Sequence, residues 1–192
     1  MSEDPLRQFT AWFGEAVEAG VKVPEGMTVA TATPDGAPSA RMVLLKGADE
    51  EGFVFYTGYG SRKATELEQN PRAALVFYWR PLGRQVRVEG TVERVHEEES
   101  AAYFATRPRP SQLAAWASEQ SSTLAGREEL DRRYAELERH YEGREVPLPP
   151  HWGGFRVRPD VYEFWQHRDN RLHDRIRYTR AREGWKVDRL AP

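Results

Sequence analysis

The sequence predicts an α+β fold built on a β-barrel. Short strand-like runs follow one another closely through residues 27–95 and again after residue 153, while helical periodicity is confined to the N-terminus, one short segment and a central block. Turn signals join successive strands, notably Pro34-Asp35-Gly36 and Arg80-Pro81-Leu82-Gly83. Strands and helices do not alternate regularly, and neither G-x-G-x-x-G nor G-x-x-x-x-G-K-[ST] is present, so a Rossmann or P-loop arrangement is not expected.

Residues 5–19 form the first expected helix, because Phe9, Trp12, Phe13, Ala16 and Val17 recur at helical spacing and Gly20 can end it. Strands are expected at 27–33, 39–46 and 52–57, with an acidic turn at 48–52. Gly58-Tyr59-Gly60-Ser61 interrupts the pattern, and 62–70 reads as a short helix. Two further strands, 72–79 and 84–95, precede helices at 97–106, 111–120 and 126–142. After the linker Pro147-Leu148-Pro149-Pro150, strands are expected at 153–159, 161–166, 171–180 and 184–190. The length of 192 residues fits a single domain over 1–192, able to bury roughly 70% of its unfolded surface.

Composition excludes several classes. With 6 Trp, 8 Tyr and 8 Phe the chain is too aromatic to be disordered. The absence of cysteine removes disulfides, thiolate nucleophiles and Cys-based metal sites, and the five histidines show no metal-ligand spacing. No catalytic metal is therefore expected. A net charge of -2 argues against a nucleic-acid partner. No apolar run approaches the ~18 residues of a membrane span, and MSEDPLRQF lacks the marks of a signal peptide. A soluble cytoplasmic protein is the expectation. Of the 28 basic residues 24 are Arg, which codon bias alone can produce, so position must decide which of them matter.

Four segments have the makings of a site. Gly58-Tyr59-Gly60-Ser61-Arg62-Lys63 brings a hydroxyl and two cations to a helix N-terminus, suiting either an anion or a plain Ser cap with a solvated basic pair. Arg41-Met42-Val43-Leu44-Leu45-Lys46 is an apolar strand bracketed by cations; alternation puts Arg41 and Lys46 on opposite faces, lining a pocket or simply snorkelling. Tyr103 and Arg107 share a helix face that stops at prolines, and Ser111 would cap the next helix, suiting either a phosphate or a helix corner. Finally, strand periodicity would set Arg171, His173 and Arg175 on one face, towards a ligand or along a charged sheet edge. With no local nucleophile, redox chemistry would have to come from a cofactor.

These segments, together with RQVRVEG (84–90), RPRPSQLAAWASEQSS (107–122), VPLPPHWGGFRV (146–157), EFWQ (163–166), RLHDR (171–175) and WKVDRLAP (185–192), resemble pyridoxamine 5′-phosphate oxidase. The matches run in order from about residue 5 to the end of the chain. The resemblance implies an FMN-binding split β-barrel with flanking helices, acting as a homodimer through a C-terminal region at about 150–192, with FMN at the subunit interface. It implies oxidation of pyridoxamine or pyridoxine 5′-phosphate to pyridoxal 5′-phosphate, with O2 reduced to H2O2. FMN would meet Arg41, Met42, Val43, Leu44, Lys46, Tyr56, Thr57, Arg62, Lys63, Gln85, Trp165 and Arg175, with Gln120 and Ser121 entering across the dimer. Lys46, Tyr103, Arg107 and Ser111 would hold the substrate phosphate. Arg171 and His173 would lie over the pyridine ring, Arg171 being the foremost catalytic candidate. Family members commonly carry a basic Arg-x-x-Tyr-like segment ahead of the first helix; that segment is expected to be missing here, which bears on substrate closure. The rival readings are an oxidase of another small molecule, like the phenazine-biosynthesis relatives, and a flavin carrier without catalysis.

Overall fold

The first helix, α1 (Pro5–Glu18), begins where Asp4 accepts the Leu6 backbone N–H at 2.8 Å and Pro5 supplies a first residue that needs no donor. Its apolar stripe, Phe9, Trp12 and Ala16, is buried against a curled antiparallel sheet. The computed structural model describes residues 1–192 and contains five helices and nine strands. The strands are β1 (Gly26–Ala32), β2 (Pro38–Leu44), β3 (Gly47–Asp49), β4 (Gly52–Gly58), β5 (Arg72–Trp79), β6 (Arg84–Arg94), β7 (Trp152–Gln166), β8 (Asp174–Arg180) and β9 (Trp185–Leu190). The remaining helices are α2 (Arg62–Gln69), α3 (Glu97–Thr106), α4 (Arg109–Ala117) and α5 (Arg127–His140).

The sheet runs β2-β1-β5-β6-β7-β4-β3, and β8 joins β7 on one side and β9 on the other. Inward-facing residues of alternate register form an aromatic core in which Phe9 meets Phe53 edge-on at 4.9 Å and Phe77 at 5.0 Å. A smaller cluster of Phe104, Leu113, Val146 and Trp152 fastens α3 and α4 beside the start of β7. The predicted α+β class matches this arrangement.

Local departures have physical causes. The expected acidic turn includes a short strand, β3, closed by the Asp49 carboxylate accepting the N–H groups of Glu51 and Gly52. The two strands expected at 153–159 and 161–166 are one strand, β7. Gly90 pairs with Pro159 and Glu89 with Val161, so Asp160 is the extra residue of a bulge, the place where a sheet tolerates proline. Gly90 is needed there, because a Cβ would fall 1.9 Å from the Arg158 carbonyl oxygen.

Two corrections touch site residues. β8 starts at Asp174, and residues 169–171 form a 3-10 turn in which Asn170 (φ 56°) and Arg171 (φ 61°) are left-handed. Arg171 and His173 therefore do not share a strand face with Arg175. Ser111 does not cap α4 either: Pro108 occupies that place, and Ser111 sits in the first turn, its N–H donating to the Pro108 carbonyl at 2.8 Å.

Candidate active site

β2, β4, the start of α2 and the α3–α4 corner enclose a cavity of about 980 Å³. All the site residues expected from sequence line it except Gln85, Trp165, Arg171, His173 and Arg175. Arg41 and Lys46 line it together, not from opposite faces. β2 ends at Leu44 and Leu45 turns into the core, which breaks the alternation between them.

One end of the cavity is cationic. Ser61 caps α2, accepting the Ala64 N–H, and this places Lys63 in the first turn. Lys63 is only 6% exposed, and its Nζ donates to Thr57 Oγ1 (2.9 Å), Gln120 Oε1 (3.0 Å) and Ser61 Oγ (3.3 Å). No carboxylate pairs with it. Burial, then the charge of Arg41, lowers its pKa to about 8. Gln120 also accepts from Thr57 Oγ1 at 2.6 Å, and Ser121 accepts the Arg62 N–H at 3.3 Å. Gln120 and Ser121 thus join the site from the same chain, contrary to the expectation that they enter across a dimer.

The opposite end is aromatic and guanidinium-lined. Tyr56 stacks on Tyr103 at 4.1 Å and on Trp152 at 5.3 Å. The Arg107 guanidinium lies 4.7 Å over Trp152, and its buried Nη1 has no hydrogen-bond partner. Burial pushes the Arg107 pKa down. Burial, helped by the Glu99 charge, pushes the Tyr56 hydroxyl up to about 12, so it stays protonated. Lys46 and Ser111 also line the cavity.

The remaining predicted residues gather elsewhere. Gln85, Trp165 and Arg175 are direct cross-strand partners on β6, β7 and β8, forming one row on one sheet face. Arg175 donates to Glu163 Oε1 at 2.8 Å. Beside the row, His173 lies 4.5 Å from Trp165 and 5.2 Å from His167. The Arg168 N–H donates to His173 Nδ1 at 3.1 Å, which leaves Nε2 as the protonated nitrogen of the neutral ring. Arg171 is exposed and makes neither a hydrogen bond nor an ion pair. Trp152, in the cavity, and Trp165, in the row, stand 13 residues apart on β7, with the bulge at Asp160 between them.

Sequence reasoning missed Glu66, Trp152 and His167. Trp152 lies within the quoted VPLPPHWGGFRV run (146–157), but its place in the ring stack depends on α3 packing. No three His, Asp or Glu side chains are grouped to hold a metal ion. No helix is long and apolar enough to cross a membrane. An anionic, partly flat ligand fits the cavity: Lys63 is buried among neutral partners, and Arg107 keeps an orphaned donor.

Comparison with known proteins is consistent along the whole chain. Residues 13–141 match the family model described as pyridoxamine 5′-phosphate oxidase. Residues 152–192 match the pyridoxine 5′-phosphate oxidase C-terminal dimerisation region. The pyridoxine/pyridoxamine 5′-phosphate oxidase of Rubrobacter xylanophilus is 66% identical over 189 residues, covering 98% of this chain and 87% of that protein. The crystal structure of PhzG from Burkholderia lata 383, in complex with tetrahydrophenazine-1-carboxylic acid, superposes with a TM-score of 0.95 at 34% identity, covering 100% of this chain and 94% of that one. A pyridoxamine 5′-phosphate oxidase-related, FMN binding protein from Nostoc punctiforme shares the fold at a TM-score of 0.77 and 18% identity, with full coverage of both chains. The curled sheet is the split barrel of these structures.

Proposed function

The chain belongs to the pyridoxamine 5′-phosphate oxidase family, and from that premise we propose that it is an FMN-dependent oxidase of pyridoxamine or pyridoxine 5′-phosphate. Pyridoxine 5′-phosphate and O2 give pyridoxal 5′-phosphate and H2O2; pyridoxamine 5′-phosphate, O2 and water give pyridoxal 5′-phosphate, ammonia and H2O2. The observation that carries this reading is one cavity lined by two groups of anion-binding side chains: Arg41, Arg62 and Lys63 about the start of α2, and Tyr103, Arg107 and Ser111 from the α3–α4 corner, with Lys46 lining the same cavity. Two phosphate esters, one on the cofactor and one on the substrate, suit two such groups. When bound, FMN supplies the two-electron acceptor that no side chain of this protein provides.

The polypeptide binds and orients. Lys63 and the two arginines hold the cofactor phosphate, with Thr57, Gln120 and Ser121 fixing Lys63 and the α2 start. Arg107, stacked on Trp152, offers its free Nη1 to the substrate phosphate. The row Gln85-Trp165-Arg175, with Arg171 and His173, stands outside the cavity of its own chain, at the other end of β7 from Trp152. We assign these five residues to the cavity of a second copy, in a homodimer with two composite sites. There His173 Nε2–H and Arg171 would lie over the substrate ring and align it, presenting donor and positive groups to the reacting site.

The test is the visible spectrum of FMN-loaded protein without oxygen. Adding pyridoxine 5′-phosphate should bleach the yellow flavin band, and air should restore it. A band that stays yellow with this substrate and with pyridoxamine 5′-phosphate rejects the substrate assignment. A second reading is favoured by the TM-score to PhzG: the same cations would accept a carboxylate in place of the substrate phosphate. Bleaching by tetrahydrophenazine-1-carboxylic acid, and not by the phosphorylated vitamers, would select it.

A further inference from the structure

Beneath the cationic end of the cavity lies a carboxylate that no sequence motif marked. Glu66 sits one turn into α2 and is only 3% exposed. Its Oε2 accepts from the hydroxyls of Thr31 on β1 and Ser39 on β2, each at 2.5 Å. Its Oε1 accepts from Arg62 Nε at 2.8 Å. Arg41 Nη2 stands 3.6 Å from Oε2. The Arg41 guanidinium also donates to the same two hydroxyls, Nη1 to Thr31 at 2.6 Å and Nη2 to Ser39 at 2.5 Å. One buried oxygen pair therefore fixes two arginines on two elements, Arg62 of α2 directly and Arg41 of β2 largely through the hydroxyls of Thr31 and Ser39. The hydrogen bonds outweigh burial and hold the carboxyl down to about 2, so it is ionised throughout the working range.

We propose that Glu66 is a positioning residue for the cofactor phosphate, clamping Arg41 and Arg62 so that both guanidinium groups stay aimed into the cavity. This rests on the reading that FMN places its phosphate at that end. Two effects of Glu66 on an anion have opposite signs, and this makes the idea testable. As a bare charge among Arg41, Arg62 and Lys63, Glu66 repels a phosphate, so neutralising it should tighten binding. As a clamp, it keeps two flexible arginines ordered before the anion arrives, so losing it should weaken binding. The bond lengths favour the clamp. An isosteric amide keeps one acceptor oxygen and replaces the other with a donor, and it removes the negative charge that draws both guanidinium groups in, so the hold on at least one arginine weakens.

The experiment compares full-length Glu66→Gln with the unaltered protein, titrating FMN and riboflavin separately and reading quenching of flavin fluorescence. The expected result is a loss of about tenfold in FMN affinity with riboflavin affinity moved by less than about twofold, since riboflavin has no phosphate to grip. Unchanged or tighter FMN binding overturns the proposal, and so does an equal loss for both flavins, which would mean general damage to the fold. Should Glu66→Gln fail to fold, Ser39→Ala combined with Thr31→Val cuts the link to Arg41 at constant charge. That pair is expected to weaken FMN about threefold and to spare riboflavin; FMN binding left intact there overturns the clamp equally. An unaltered protein that binds no FMN removes the functional reading itself, a different outcome from FMN binding that ignores Glu66.

Discussion

Lys63 is held in a place that folding alone disfavours. Below about pH 8 it is charged both folded and unfolded, so its burial penalty is felt in full. Between about 8 and its ordinary 10.5 the folded chain gives up the proton while the unfolded chain keeps it. The unfolded state then binds more protons, and stability rises with pH through that window. Thermal unfolding of the cofactor-free protein should therefore show a rise from pH 8 to 10.5 that Lys63→Met lacks. The variant should also be the more stable of the two at pH 7, by on the order of 1–3 kcal/mol, and should lose FMN affinity. Parallel pH profiles for the two proteins would contradict this account of Lys63. The residue itself was legible from its Ser-Arg-Lys setting at a helix start. Glu66 was not, because its partners lie on strands 27 and 35 residues earlier in the chain. Gln120 is legible as a site residue, but its contact with Lys63 of the same chain spans 57 residues and leaves no local mark.

β7 shows most clearly what pattern reading can and cannot give. Its apolar content and aromatic run made it legible as strand, but Pro159 made it look like two. The chain is instead continuous through a bulge, with β4 paired along its first half, β8 along its second, and β6 along the other edge. The bulge depends on the close approach at Gly90. Gly90→Ala should lower the urea midpoint by the equivalent of at least roughly 2 kcal/mol, because the added methyl meets a backbone carbonyl that cannot move aside cheaply. A midpoint equal to the parent's would mean that the bulge relaxes freely. The RLHDR segment failed in another way. Its residues were recognised, but period-two reasoning assumed a strand, and the left-handed pair Asn170-Arg171 has no signature beyond an asparagine that tolerates such angles. That turn, not alternation, orients Arg171 and lets the Arg168 N–H reach His173.

At the scale of the whole molecule, the barrel, the helix positions and most cavity-lining residues were legible from sequence. The partition of the site between two distant regions was not. Hydrophobic period and turn chemistry report neighbours along and across strands, whereas the curl of a sheet decides which ends meet. The proposed composite site has a direct genetic test. Arg107→Ala removes a cavity residue and Arg171→Ala a residue of the distant group, so either homodimer should turn over poorly while Arg171→Ala still binds FMN. After subunit exchange between equal amounts of the two, half the dimers are mixed and each carries one undamaged site. Activity should then recover to about a quarter of the unaltered level. A mixture no more active than its parents would place both residues in one subunit's site.

The length of β7 carries one more consequence. By carrying Trp152 and Trp165 at its two ends, the strand acts as a spacer between the two halves of the chemistry. In the proposed dimer that spacer makes an isolated chain catalytically incomplete however well it is folded. Specific activity would then depend on dilution, falling off below the concentration at which chains stay paired, so that abundance would govern output per molecule as well as in total.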